Sequence, residues 1–261
     1  MAPLNILSID FDYFIHYVSK SSALYCSDSG IEFSEELGQL CWMTKYATAA
    51  CADVDMASIL TPRTADLEYV KGIIQKQVDP YCMVCDSHAN IVNFCLRLYK
   101  GEPITIYNID AHHDGYPTRD SDCDEEAPSY NCGNWASALL DMKVAENIYW
   151  IAPEDEPYSS AEPGEMDDRI KTTLSLHQLG GIAEFDGIFL CRSGSWTPPH
   201  LDNEFLEVAH LLVQPEGGWE CRLQKGIMDS RYNEEFISGV EDMQRYYPAP
   251  RKRGRSRHPQ N

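Results

Sequence analysis

The chain has 261 residues, of which 43% are hydrophobic and 11% aromatic, so it can bury a full-sized core and is not globally disordered. Its formal net charge is −20; residues 248–261 hold five Lys or Arg and no acid, which leaves a balance of −25 on residues 1–247. Because residues 1–247 are so acidic, they should repel nucleic-acid backbones and attract cations and basic substrates. The sequence has no run of about 18 apolar residues, so no membrane-spanning helix is expected.

Short apolar runs recur along the chain, each about as long as a buried strand and each ending at a polar or small residue. In chain order these predicted strands are Leu4–Ile9, Tyr81–Cys85, Ile104–Ile109, Ile148–Ala152 and Gly187–Cys191. The first run follows no basic segment, so it is interpreted as a strand and not as a signal peptide.

Helical periodicity lies between these strands. Helices are predicted around Glu35–Cys51 and over Thr64–Gln77, Ala89–Lys100 and Leu201–Val213. Strands that alternate with helices predict right-handed crossovers and a mostly parallel sheet, here in one three-layer α/β/α domain over residues 1–247. The Pro- and Arg-rich residues 248–261 are predicted to be a disordered basic tail.

The ten cysteines form no recognisable framework. The one Cys-x-x-Cys motif, Cys82 to Cys85, lies inside an apolar run and has no second pair to complete a four-thiolate zinc site. We therefore expect packing cysteines in a reduced, cytoplasmic protein.

Three of the predicted strand ends carry side chains that bind metal ions, namely Asp10, Asp12, His88, Asp110, His112 and Asp114. Ligands of parallel sheets bind at the carboxyl ends of strands, and alternate residues of an extended segment point the same way. A lone Asp-x-Asp is usually a solvated turn, but three such motifs at one edge of a sheet predict a metal site.

The ligand types indicate what this site holds. Four carboxylates and two imidazoles are harder and more numerous than the ligands typical of one zinc ion. Two divalent ions that share Asp10 and Asp110 fit the set, and such a pair lowers the pKa of a bridging water to supply hydroxide near neutral pH.

The same residues resemble a known family. The segment Asp110-Ala111-His112-His113-Asp114 is similar to the Asp-Ala-His-x-Asp signature of the arginase/ureohydrolase superfamily, and Asp10-x-Asp12 and His88 resemble its other ligand motifs. The likeness extends to Cys132–Trp135 and to Tyr149–Pro153. It implies an arginase/deacetylase-like fold and hydrolysis of the arginine guanidinium group to ornithine and urea.

The resemblance also implies a division of the ligands between two manganese ions per chain. One ion would be held by Asp10, His88, Asp110 and Asp114, and the other by Asp10, Asp12, Asp110 and His112. Usual arginases place the Asp-x-Asp strand after the other two motifs, whereas here it opens the chain, so the strand order is expected to be permuted.

Other candidate residues follow from their places near these motifs. His113 is a candidate proton shuttle or a structural histidine, and Asn134 a substrate ligand or a helix cap. Glu154 and Asp155 follow the strand that approaches the substrate in the family; they are candidates to bind a guanidinium group, or else part of a solvated acidic loop.

The nearest likeness is to atypical arginases that act on arginine within ribosomally made peptides. Ala136 stands where arginases of free arginine carry a helper histidine, and the nearby acid-rich segment Asp120–Glu126 would repel a free α-carboxylate. An arginine-containing peptide is therefore the expected partner, with no nucleic acid and no membrane.

Two alternatives stay open at this point. A zinc deacetylase of the same fold class would use one ion and would not need Asp114 or the Asp10/Asp12 pair. A non-catalytic, metal-stabilised protein would use its acidic surface to bind a basic partner. Metal stoichiometry and urea release separate these classes.

Overall fold

The computed structural model describes residues 3–19, 32–117, 130–154, 165–182, 184–213, 219–222 and 230–246. The predicted basic tail, the acid-rich segment Asp120–Glu126 and Asp155 lie outside these described residues. All the other candidate site residues lie within them.

The described strands are β1 (Leu4–Asp10), β2 (Ile15–Tyr17), β3 (Leu60–Pro62), β4 (Tyr81–Cys85), β5 (Ile104–Ile109), β6 (Ala145–Ile151), β7 (Gly187–Cys191) and β8 (Trp219–Arg222). Six of them form one sheet in the order β6-β5-β1-β7-β4-β8, in which every neighbouring pair is parallel. β2 and β3 pair separately and are antiparallel. The predicted α/β class with a mostly parallel sheet is confirmed.

The described helices are α1 (Glu35–Cys51), α2 (Met56–Ile59), α3 (Thr64–Ile74), α4 (Asn90–Leu98), α5 (Trp135–Asp141), α6 (Asp202–Leu212) and α7 (Glu234–Tyr246). The four predicted helices are present, although α3, α4 and α6 are shorter than expected. The sequence patterns did not predict α2, α5, α7, β2, β3 or β8.

Two separate apolar cores lie on the two faces of the sheet, because successive side chains of a strand point in opposite directions. Ile6 of β1 packs into the core beneath α4 and α5. Leu7 and Ile9 of the same strand pack into the core beneath α1, α3, α6 and α7. These helices on both faces give the three-layer α/β/α arrangement.

The cysteines of the Cys-x-x-Cys motif belong to these cores. Cys82 and Cys85 are buried free thiols on β4, as the packing interpretation predicted. Among the described helices, none is both long enough and apolar enough to cross a membrane.

The register of the sheet gathers the predicted site residues at one edge. β1 opens the chain but lies between β5 and β7, with Ile9 opposite Ile109 and Asp10 opposite Cys191. Cys85 of β4 is opposite Cys191 as well. The carboxyl ends of β1, β4, β5 and β7 are therefore level, and the segments that follow them meet above the sheet.

Candidate metal centre

The deepest part of the site is built around His88, which follows β4. Its Nδ1 atom lies 3.1 Å from Asp10 Oδ2, 3.1 Å from Asp110 Oδ2 and 3.0 Å from Asp114 Oδ2. The His88 side chain is only 1% exposed. Three carboxylates from two different strand ends thus converge on one imidazole nitrogen.

A second group of ligands lies next to the first and shares Asp110 with it. His112 Nδ1 is 2.8 Å from Asp12 Oδ2 and 3.9 Å from Asp110 Oδ1. Asp12 is buried, whereas the His112 side chain is 42% exposed, so this half of the site is the one open to solvent.

The two groups match the spacing that a metal ion requires. Ligand atoms of Asp10, His88 and Asp110 all lie within 4.8 Å of one another, and so do those of Asp12, Asp110 and His112. Asp110 is common to both groups, as a bridging ligand would be. Asp10 belongs only to the first group here, although the family resemblance implies that it bridges both ions.

The side chains of the centre are better suited to binding cations than to forming hydrogen bonds with one another. One nitrogen carries at most one proton, so His88 Nδ1 cannot donate to all three carboxylates around it. His88 Nδ1 and Asp12 Oδ2 are buried atoms to which the described residues give no regular hydrogen bond. Even with both histidines protonated, four carboxylates outnumber two positive charges, and a buried excess of charge is costly unless cations balance it.

The pKa values of the ligands reflect this crowding. Burial raises the pKa of Asp10, and the neighbouring charge of Asp12 raises it further. The pKa of Asp110 lies well above its ordinary value because of burial and of repulsion from Asp114, Asp10 and Asp12.

The histidines respond in the opposite way, since they face carboxylates. Burial alone lowers the pKa of His88, but Asp10, Asp110 and Asp114 raise it well above its ordinary value. For His112 the effect of burial is likewise outweighed, chiefly by Asp12, which brings its pKa to about 10.

His88 is held in place by groups around its ring. Ser8 Oγ lies 2.9 Å from Nε2, so Nε2 can donate its proton to this hydroxyl while Nδ1 is directed at the centre. Metal-binding histidines commonly have such a partner on the second nitrogen. Phe189 stacks on the ring with an interplanar angle of 11°, and Trp135 packs against it at 4.8 Å.

The carboxylates have partners of their own. Ser193 Oγ donates to Asp10 Oδ2, and Trp135 Nε1 donates to Asp114 Oδ2 at 2.7 Å. Asp110 accepts from Asn108 Nδ2 at 3.1 Å and from the His112 amide at 2.8 Å. These bonds restrain the three carboxylates, and those from Ser193 and Trp135 reach the same Oδ2 atoms that face His88.

Two residues of the site have strained backbones. Asp114 and Ser193 have φ angles of 47° and 48°, in the left-handed region that residues other than glycine rarely adopt. Each such residue costs of order 1–3 kcal/mol, and these conformations cluster at functional sites. Both residues touch the centre, Asp114 as a ligand candidate and Ser193 through its bond to Asp10.

The remaining predicted site residues lie around the centre. The buried His113 accepts a hydrogen bond on Nδ1 from the Gly115 amide and packs against Trp150, and burial lowers its pKa. Asn134 precedes α5, but its Oδ1 accepts from the Asn131 amide and caps no helix amide. The proposed roles of His113 in proton transfer and of Asn134 in substrate binding stay predictions.

Glu154 lines a cavity of about 740 Å³, whose described lining includes none of the six candidate metal ligands. Tyr13, which follows the candidate ligand Asp12, and Trp150 also form its wall, and Trp150 Nε1 donates to the Asp110 carbonyl at 2.9 Å. Asp66 and Arg63 complete its charged lining. The cavity is of the size that binds small molecules and short peptide segments.

The motif search missed several residues that support the site. Ser8 is two positions before Asp10 on the same strand, so strand periodicity alone indicates that the two side chains share a face. Ser193 follows β7, whose predicted end carries no metal-ligand motif. Glu32 accepts from Ser87 Oγ at 2.8 Å, next to His88, and no sequence pattern marked it.

Neither models of known protein families, nor curated proteins, nor solved structures gave a match to this chain. The resemblance to the arginase superfamily therefore depends on the ligand motifs, and the activity that it implies is a proposal.

Proposed function

We propose that this protein is a hydrolase that uses two divalent cations to cleave the guanidinium group of arginine within a peptide, giving ornithine and urea. The observation that carries the proposal is the pair of ligand groups that share Asp110 at the carboxyl edge of the sheet. A single zinc ion would not use Asp12 and Asp114 as well, which favours this function over a deacetylase.

The residues of the chain have separable tasks in this proposal. Asp10, His88, Asp110 and Asp114 would hold one cation, and Asp12, His112 and the shared Asp110 the other. When bound, the two cations would lower the pKa of water and so supply a nucleophile near neutral pH. The hydrogen bonds from Ser193 and Trp135 keep the ligands oriented and so limit reorganisation during turnover.

The reaction breaks the bond between the guanidinium carbon and the side-chain nitrogen of arginine. The water oxygen ends in urea, and the nitrogen left on the ornithine side chain takes up a proton. Manganese suits the site better than zinc, because oxygen ligands outnumber nitrogen ligands.

The proposed substrate class is supported by the charges and the size of the cavity that Glu154 lines. Its charged lining has two carboxylates, Glu154 and Asp66, and one guanidinium group, Arg63, and the excess of carboxylates suits a guanidinium group or a basic peptide. Its volume of about 740 Å³ exceeds the space that one arginine side chain needs and leaves room for neighbouring residues. The charge of −25 on residues 1–247 also favours encounter with basic peptides at low salt.

Metal content tests the class of enzyme. We expect elemental analysis to find two divalent ions per chain, and chelated protein to regain activity with Mn²⁺ better than with Zn²⁺. One ion per chain with zinc preferred would support the deacetylase. Bound metal without turnover of any arginine or acyl-lysine substrate would support a non-catalytic binding protein.

Urea release tests the substrate. Free arginine and peptides with an internal arginine are compared at equal concentration and low salt, and the peptides should be hydrolysed with the higher kcat/KM. Equal efficiency on free arginine would remove the peptide preference and leave an arginase acting on the free amino acid.

Glu154→Gln tests the cavity. Loss of one charged contact should raise KM for the peptide by about tenfold while metal content stays unchanged. The control Glu146→Gln changes an exposed carboxylate on β6 and should leave KM as it is. An unchanged KM in Glu154→Gln would place the guanidinium group elsewhere.

A further inference from the structure

The loop between β7 and α6 touches two of the segments that carry metal ligands. Ser193 Oγ donates to Asp10 Oδ2. Arg192 Nη2 lies 2.7 Å from the carboxylate of Asp86, two residues before His88, and the Arg192 amide donates to the Cys85 carbonyl at 2.9 Å. The position of residues 192–197, called the β7–α6 loop below, therefore affects both Asp10 and the His88 segment.

The loop is in turn held by Arg231, which precedes α7. Its Nη1 donates to the Gly194 carbonyl and its Nη2 to the Thr197 carbonyl, each at 2.9 Å. The same guanidinium group bonds both carboxylate oxygens of the fully buried Asp202, at 2.6 to 3.1 Å. One side chain thus ties two carbonyls of the loop to the first residue of α6.

The loop needs such an anchor. Ser193 has a φ of 48°, which costs free energy, and its backbone relaxes unless contacts on both sides hold it. A Cβ added to Gly194 would lie 3.1 Å from Arg231 Nη1, so the guanidinium group packs directly on this backbone. The loop is therefore packed as well as hydrogen-bonded.

We propose that Arg231 is a positioning residue of the metal centre: it holds the β7–α6 loop so that Ser193 and Arg192 keep Asp10 and the His88 segment in place for metal. The inference needs the metal centre of the proposed function but not the identity of the substrate. A guanidinium group suits this task because its planar fork can bond a carboxylate and two carbonyls together.

The alternative is that Arg231 only stabilises the fold by neutralising Asp202. Both roles predict a lower unfolding temperature for Arg231→Met, since this variant leaves a buried carboxylate without its partner. Arg231→Lys separates them, because an ammonium group keeps a charge near Asp202 but cannot reproduce the fork that also reaches Gly194 and Thr197. Ser193→Ala removes the bond to Asp10 and leaves the Arg231 contacts intact.

The experiment measures Mn²⁺ binding to chelated protein by titration calorimetry, well below the unfolding midpoint of each variant in EDTA. We expect Arg231→Lys and Ser193→Ala to bind Mn²⁺ about 10- to 100-fold more weakly than the wild type. Arg245→Met, which removes the exposed partner of Asp242, is the matched control and should bind as the wild type does.

The outcomes are distinguishable. Wild-type affinity in Arg231→Lys and Ser193→Ala, with a lower unfolding midpoint only for the arginine variants, would reduce Arg231 to a structural role and leave the proposed function intact. Absence of Mn²⁺ binding to the wild type would overturn the metal centre and this inference together. If the Arg231→Lys and Ser193→Ala variants bind Mn²⁺ more weakly but the wild type releases no urea, the positioning role of Arg231 stands and the proposed substrate is wrong.

Discussion

Two buried clusters of charged side chains lie side by side at the carboxyl edge of the sheet, and their charge balance differs. One pairs Arg192 and Arg231 with Asp86 and Asp202, so the charges cancel within the protein. The metal centre sets four carboxylates against two imidazoles, and with all four carboxylates ionised it is negative even when both histidines are protonated. The charges of the first cluster are balanced, whereas the described residues leave the second cluster short of positive charge.

This difference distinguishes charged side chains that stabilise the fold from those available to bind cations. Asp202 and Asp110 are both fully buried aspartates at this edge of the sheet. Asp202 is bonded by a guanidinium group, but Asp110 faces three other carboxylates, which raise its pKa beyond the effect of burial. The same change, Asp to Asn, should therefore have opposite effects at the two positions.

The largest effect is expected on activity. Asp10→Asn or Asp110→Asn should lower turnover by at least about 1,000-fold and weaken metal binding, because each removes a charged ligand of the proposed centre. Urea release and bound metal per chain are measured together. The control Asp141→Asn changes a partly exposed partner of Arg169 and should keep both near normal. Near-normal activity and metal content in Asp10→Asn would remove the N-terminal motif from the site.

A substitution in the balanced cluster of Arg192, Arg231, Asp86 and Asp202 should lower the stability of the fold. Asp202→Asn leaves Arg231 without its buried counter-charge, while Arg192 keeps Asp86, so we expect the free energy of unfolding to fall by about 3–5 kcal/mol. Urea denaturation in EDTA measures it. Asp242→Asn, at an exposed ion pair with Arg245, should cost less than about 0.5 kcal/mol. Equal small losses of stability in the two variants would show that Asp202 does not balance a buried charge.

Removing a carboxylate from the metal centre should instead raise the stability of the fold when no metal is bound. In EDTA, Asp110→Asn removes one of four crowded carboxylates, and we expect the free energy of unfolding to rise by about 1–2 kcal/mol. With Mn²⁺ present the wild type should be the more stable of the two proteins, because it gains free energy from metal binding that the variant loses. A destabilised Asp110→Asn in EDTA would mean that the cluster is already balanced without metal.

The smallest effect concerns pH. Asp110 has a raised pKa in the folded protein, so its destabilising charge is present above that pKa and disappears as the pH falls through it. The gain in stability of Asp110→Asn in EDTA should therefore be largest near neutral pH and shrink on acidification. Denaturation curves of both proteins from pH 7.5 to about pH 4.5 follow the difference. A gain that grows on acidification would contradict the assigned direction of the pKa.

The sequence was sufficient for the parallel sheet and for the convergence of the ligand motifs. Tyr81–Cys85, Ile104–Ile109 and Gly187–Cys191 are continuous apolar runs of strand length, and such runs are typical of strands buried on both faces. The rule that ligands bind at the carboxyl ends of parallel strands then placed Asp10, His88 and Asp110 together.

The supporting contacts could not be predicted in the same way, because they join residues distant in the chain. Ser193 reaches Asp10 across 183 positions, and Arg231 follows β8, a four-residue strand too short to give a hydrophobic pattern. Arg231 also carries no motif, since an arginine before a helix is ordinarily a solvated side chain. Only the folded backbone shows that it faces Asp202 and the β7–α6 loop.

The central place of β1 has a consequence for how the protein is made. Asn5 bonds the Asp186 carboxylate across 181 positions, so β1 is synthesised long before its neighbour β7. At a translation rate of roughly 5–20 residues per second, β1 waits roughly ten to forty seconds for that strand. Contacts of such high sequence separation fold slowly and leave apolar strand edges open to chaperones or to aggregation. Because Asp10 ends β1 and Ser193 follows β7, the centre is assembled only after nearly three quarters of the chain has left the ribosome.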